Sequence, residues 1–218
     1  MGGHILNWSV NRRSLRYLGL MLVGRALLGP PLSPEEARAA IVTSWDFPQN
    51  ENLGTAAITE RFERIHEAYD VGQAFSAEDA DFILRYAKPF LSGEHGQASS
   101  RSGDGARRCE VNISTSDSYV GDFVYRCSAI VQAGCPDGVC RDVRIEERRT
   151  VYGLTHPFAG GSIGIVDCFE QAYSQETEDW FTAEFVDEFT GVAIGFYAYY
   201  RAFITLANGD VLELGFEL

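Results

Sequence analysis

From Ser118 to the C-terminus, apolar residues recur at every second position in runs broken by turn signals. Period two is the signature of strands, because successive strand side chains point to opposite faces of a sheet. Six runs fit it: Tyr119–Ala133, Val139–Tyr152, Ser162–Tyr173, Trp180–Phe189, Val192–Leu206 and Asp210–Leu218. Thr190-Gly191 and Asn208-Gly209 stand where two-residue hairpin turns belong, Asn-Gly being the preferred pair. Consecutive hairpins make an antiparallel meander, and long strands twist. The expected object over 118–218 is therefore a six-stranded, strongly curved sheet or partial barrel.

The residues upstream follow a helical period. Ser33-Pro34-Glu35-Glu36 combines an N-cap serine, a proline at the first helical position and a capping-box glutamate. A second helix begins near Thr55, with Ile58, Phe62, Ile65 and Tyr69 on one face and Gly72 as its stop. A third is capped by Ser76, turns Phe82, Ile83 and Tyr86 inward, and ends at Pro89. Ser92 to Arg108 has no apolar residue larger than alanine, which reads as a flexible segment. The expected class is α+β: a helical region over 1–91, a Gly/Ser-rich linker or mobile loop over 92–117, and an antiparallel β-domain over 118–218. No internal repeat is present.

Charge excludes one class of partner. The 218-residue chain carries a net charge of -13, and a phosphate backbone needs a basic face, so nucleic acid is not the expected partner. The acids crowd toward the C-terminus, while residues 1–34 hold Arg12, Arg13, Arg16 and Arg25 and no acid. The run "NRRSLRYLGLMLVGRALLGPP" is loosely similar to a twin-arginine export signal. Arg25 interrupts it, however, and no Ala-x-Ala cleavage site follows. Leu15–Leu28 is too short and too charged to span a bilayer, which takes about 20 apolar residues. A helix apolar on nearly every side must be covered, so this one is read as a docking helix with Leu15, Leu18, Leu22 and Leu27 at its interface. The alternatives are contact with a membrane surface through residues 12–28, and export. The expected location is cytoplasmic, and five cysteines in such a chain are expected to be reduced.

The chemical-looking motifs dissolve on inspection. Cys135-x4-Cys140 is wider than a zinc knuckle and no second pair with zinc spacing accompanies it. A three-residue loop Pro136-Asp137-Gly138 separates apolar from charged positions cleanly. It places Phe123, Tyr125, Cys127, Ala129 and Val131 with Val143, Ile145 and Val151, so the cysteines read as a hairpin tip. Gly160-Gly161-Ser162-Ile163-Gly164 matches the nucleophile elbow of serine hydrolases. That elbow needs a helix after it and a histidine later in the chain, whereas His4, His66, His95 and His156 all precede Ser162. Asp70–Asp81 fails as a calcium loop because Phe75 stands where glycine is required. His66-Glu67 lacks the second histidine of a metalloprotease helix. No metal site and no cofactor are expected.

One constellation remains. Two-residue turns at Thr190-Gly191 and Asn208-Gly209 would put Glu184, Tyr197, Tyr199 and Arg201 on one sheet face, with Phe203, Leu214 and Phe216 beside them. In an enzyme, Glu184 would be the general base, with a tyrosine or Arg201 stabilising developing negative charge. The same aromatic and arginine content also suits a protein interface. The leading expectation is a non-catalytic structural or interaction subunit of a larger assembly, cellular or virion, with protein partners or self-association. The alternative is a small-molecule binder or isomerase-like enzyme with its pocket on the curved sheet. Its order of elements is similar to the cone-shaped NTF2-like layout.

Overall fold

The computed structural model describes residues 47–90, 93–101, 109–121, 123–155 and 162–217. The Leu15–Leu28 segment, with Leu15, Leu18, Leu22 and Leu27, and the Ser33 capping box lie outside the described residues. Among the described residues, two α-helices, α1 (Thr55–Ala68) and α2 (Ala77–Tyr86), precede eight strands. These are β1 (Gly93–Arg101), β2 (Glu110–Gly121), β3 (Val124–Gly134), β4 (Cys140–Leu154), β5 (Ile163–Glu176), β6 (Trp180–Thr190), β7 (Val192–Leu206) and β8 (Val211–Glu217).

The helices form where the 3.6-residue pattern places them. α1 buries Phe62 and Ile65, and α2 buries Phe82 and Ile83. Ser76 caps α2 by accepting the Asp79 N–H at 3.1 Å. Asp79 then clamps the two helices. Its carboxylate accepts from the Ser76 hydroxyl at 2.8 Å, the Tyr69 hydroxyl at 2.7 Å and the Arg61 guanidinium at 2.7 Å. Behind α2, Asn50 donates to Asp81 at 2.9 Å, and Arg85 donates to the same carboxylate.

The class is α+β and the pairing is antiparallel, but the single curved meander does not form. The strands make two four-stranded sheets, β1-β2-β3-β6 and β5-β4-β7-β8. Val111, Ile113, Tyr125, Ala129, Val131 and Phe185 of the first face Val143, Ile145, Val151, Phe196 and Ile204 of the second across a shared core. A second core lies on the far side of the second sheet, where Tyr152, Ile165, Ile194 and Tyr197 pack under Phe62, Ile65, Phe82 and Ile83. The order of layers is helices, sheet, sheet.

Face coverage explains the correction. β4 and β7 carry buried side chains of both parities, so their sheet has two faces to cover. The outward positions of the first sheet are exposed and mostly polar, Arg126, Gln132, Thr182, Glu184 and Glu188, with Ile130 and Val186 exposed among them. A single sheet would have exposed one apolar face, whereas stacking two sheets and adding the helices covers each of them. The expected hairpins at Cys135–Val139 and Thr190-Gly191 are instead crossings between sheets. The Cys135 turn is real, with Gly138 at φ +65° and its N–H on the Cys135 carbonyl at 3.1 Å, but β3 pairs with β6 and β4 with β5 and β7. Gly191 passes the chain across and donates to the Phe123 carbonyl at 2.9 Å.

Asn208-Gly209 does close a hairpin, of another register. Leu206 and Asp210 bond across a three-residue loop in which Gly209 has φ +91°. Arg201 therefore opposes Gly215 and not Phe216. That one-residue slip turns Leu212, Leu214 and Phe216 into the core between the sheets. Strand also occupies most of the stretch expected to be a linker: β1 lies within it and β2 begins at Glu110. Cys109 and Cys135 form a disulfide at the open end of the β2–β3 ladder, so these two are not reduced, and Cys127, Cys140 and Cys168 are free.

Close backbone approach fixes the helices to the second sheet. Gly72 and Phe75 donate to the Ile165 and Ile163 carbonyls, each at 2.8 Å, so the α1–α2 connection extends the β5 edge. A Cβ on Gly164 would sit 2.1 Å from the Gln73 carbonyl oxygen, which is why glycine stands there. Ser162 thus leads into a strand and not into a nucleophile elbow.

Two outcomes follow. Phe62→Ala should cost roughly 3–5 kcal/mol in urea denaturation, because it empties the contact between both helices and the sheet. Burial alone would push the Asp79 carboxyl up, but the bonds from Tyr69, Ser76 and Arg61 outweigh it and hold it below its ordinary 3.8. Its stabilisation is therefore present above that value and is lost as pH falls through the depressed one. Asp79→Asn should flatten the acid limb of a stability-against-pH curve.

Candidate functional site

The anticipated constellation is split between the two sheets. Glu184 lies on β6, opposite Ile130, and is exposed on the outer face of the first sheet. Tyr197, Tyr199 and Arg201 do share a face of β7, but it is the face beneath α1. There Tyr197 stacks on Phe62 with ring centroids 4.2 Å apart and planes 9° from parallel, and burial pushes its hydroxyl up to about 12. Arg201 stacks on Tyr199 at 4.7 Å and reaches Glu213 at 3.8 Å. Phe62 of α1 therefore covers Tyr197, while Tyr199 is half-buried and Arg201 stays exposed.

The strand ladder builds a different cluster on that face. Thr150 sits directly between Tyr197 and Cys168, and in the next row Arg148 sits between Tyr199 and Glu170. α1 lays Glu63 and His66 over these two rows. His66 Nδ1 is 3.0 Å from Thr150 Oγ1 and 3.8 Å from Cys168 Sγ, and His66 Nε2 is 3.7 Å from Glu170 Oε1. Arg148 donates to Glu63 at 2.8 Å and to the Tyr199 hydroxyl at 3.3 Å, and its Nε forms an ion pair with Glu170 at 3.0 Å.

A cysteine beside a histidine invites a nucleophilic reading. Burial, however, pushes the Cys168 thiol up to about 11, with neighbouring Glu170 acting in the same direction and Arg148 opposing. A thiol held protonated is a poor nucleophile. No water-sized space opens among Phe62, Glu63, His66, Arg148, Thr150, Tyr197 and Tyr199. What the cluster does offer is one imidazole, one sulfur and one carboxylate whose ligand atoms lie within 4.8 Å of one another. Sequence reading passed over it because His66 and Cys168 are 102 residues apart. The available signal was local: Cys168 and Glu170 at i, i+2 on a strand, and His66 one turn beyond Phe62 on the buried side of α1.

A second polar cluster lies in the core between the sheets. Arg149 and Glu147, i and i+2 on the inner face of β4, form a salt bridge in which both side chains are at most 3% exposed. The Tyr200 hydroxyl donates to Glu147 at 3.1 Å, and the Phe169 ring lies 5.6 Å from the guanidinium carbon. From the opposite sheet Asp117, Cys127 and Asp187 face this pair in one row across β2, β3 and β6. Burial pushes Asp187 up, opposed by Arg149 and by a hydrogen bond with Asp167. The cluster gathers charge from strands of both sheets in a closed interior, which is the geometry of a structural lock.

Compared with known proteins, the chain matches no family model and none of the curated proteins.

Removing one half of the lock is the expected weak point. Arg149→Met leaves Glu147 buried without its partner and should cost about 3–5 kcal/mol, whereas Glu147→Leu combined with Arg149→Met should recover most of that loss. Urea midpoints of the single and double variants measure the difference.

Proposed function

We propose that this chain is a non-catalytic structural or interaction subunit of a larger protein assembly. The observation that carries the reading is the stacking of Phe62 on Tyr197: the protein's own helix covers the buried end of the sheet face on which a substrate pocket was anticipated. Among the described residues a cleft of about 240 Å³ lies between α1 and α2, lined by Arg61, Arg64, Ile65, Ala68, Tyr69, Glu78 and Asp79. It is smaller than the 300–1,000 Å³ usual for ligand pockets, and its acids are already bonded to Arg61.

The edges of the sandwich supply what an assembly needs. β1 and β6 end one sheet and β8 one side of the other, each with a single strand neighbour among the described residues, whereas the start of the β5 edge is already taken by Gly72 and Phe75. An edge strand presents unpaired N–H and C=O groups to which another chain can add. On β8 the outward residues Val211, Glu213, Gly215 and Glu217 are exposed, and Val211 is 59% accessible. Helices long and apolar enough to cross a membrane do not occur among the described residues.

Sedimentation velocity and native mass spectrometry of the full chain test the proposal. The expected result is a discrete oligomer, or a stable complex with defined partner proteins, and no organic adduct. A monomer that stays monomeric at high concentration and carries a stoichiometric small molecule would sink it.

A further inference from the structure

The geometry points to a binding site for a zinc-class divalent cation formed by His66 of α1 with Cys168 and Glu170 of β5. All three side chains belong to the donor set zinc uses, and three protein ligands with one open position form a known zinc arrangement. The spacing fits the ion. With Nδ1 and Sγ 3.8 Å apart, a cation at ordinary Zn–N and Zn–S distances subtends an angle of about 120° between them, close to tetrahedral. Glu170 is the adjustable ligand: its side chain is 51% exposed, its Oε1 lies 3.7 Å from the other imidazole nitrogen, and one ligand atom from each of the three residues falls within 4.8 Å of the others, so a turn of Glu170 brings it to the ion. A thiolate and a carboxylate balance the charge of a divalent ion, and His66 binds as neutral imidazole.

The surroundings are arranged for such a site. Arg148 competes with a cation for Glu170, yet it keeps Glu63 at 2.8 Å and Tyr199 at 3.3 Å when Glu170 turns away. Thr150 Oγ1, 3.0 Å from His66 Nδ1, is the nearest polar neighbour of the imidazole and gives up that bond when the nitrogen takes the ion. The buried flank is closed by Tyr197, and His66 and Glu170 at 21% and 51% exposure leave an entry from solvent. On binding, the Cys168 S–H bond breaks, the S–metal bond forms and one proton leaves to solvent. Bound there, the ion would join α1 covalently to the β5 edge.

Full-length protein stripped with a chelator and titrated with Zn²⁺, then with Co²⁺, is the experiment. One ion per chain is expected, with sulfur-to-cobalt charge-transfer absorption, the intense visible bands of four-coordinate Co²⁺ and a raised Tm. His66→Ala and Cys168→Ser should each weaken binding by more than the roughly 10–100-fold brought by loss of an outer partner. Cys168→Ser should also abolish the charge-transfer band. Glu170→Gln, at an exposed position that cannot unfold the chain, should weaken binding and keep the band. Circular dichroism confirms that each variant is folded. Failure to bind one ion, binding without the sulfur band, or affinity unchanged in the three variants would overturn the proposal.

Discussion

Along β7, residues of both parities are withdrawn from water: Ala193, Phe196, Ala198, Tyr200, Ala202 and Ile204 on one side, Val192, Ile194 and Tyr197 on the other. A strand with no solvent face cannot sit in a single open sheet, and the layers follow from that. One side is covered by a second sheet with a mostly polar outer surface, the other by α1 and α2. Side chains as large as Phe185 and Tyr152 are wholly buried in the two cores. At about 25 cal/mol per Å² of apolar surface removed from water, such burial outweighs any single polar contact described here.

Within that apolar frame the two polar clusters do different work. The Glu147–Arg149–Tyr200 group is closed and lies within one sheet, and Arg149 and Asp167 of that sheet act across the core on Asp187 of the other. Apolar contacts are tolerant of sliding, whereas a buried guanidinium is not, so the group selects the mutual register of the sheets more than it strengthens them. The cluster under α1 is at the rim, half open, and built from groups that can exchange partners. Arg148 joins Glu63 of the helix to Glu170 of the sheet, and His66 leans across the same seam.

Much of the secondary structure was legible in the residues because it is decided locally. The Ser76 cap, the Phe62–Ile65 face and the ends of β6 and β7 follow from capping chemistry and periodicity. β1 and most of β2 were not, since Gly93–Arg101 and Glu110–Ser118 are polar and rich in Ser and Gly, with little alternation to read. Pairing was the harder quantity. A turn such as Cys135–Gly138 looks the same whether it returns a strand to its own sheet or delivers it to the opposite one, and coverage of faces makes that choice. Hence Tyr197, Tyr199 and Arg201 were placed together correctly by parity, whereas Glu184 was assigned to them through a hairpin that does not exist. The three-residue loop at Asn208 shows how one residue in a turn decides which way three apolar side chains point.

Neither sheet is a continuous piece of chain. β6 belongs beside β3, yet β4 and β5 of the other sheet intervene in sequence, and the backbone crosses between sheets after β3, after β5 and again at Gly191. Half a sandwich therefore cannot be cut out, secreted separately or folded first as an autonomous unit. The late arrival of β6 and β7 completes both sheets nearly at once. Such interleaving raises the mean sequence distance between touching residues, which slows folding and couples loss of one sheet to loss of the other. The molecule should come apart in a single transition, and a break in the chain anywhere between β3 and β7 should be felt in both layers.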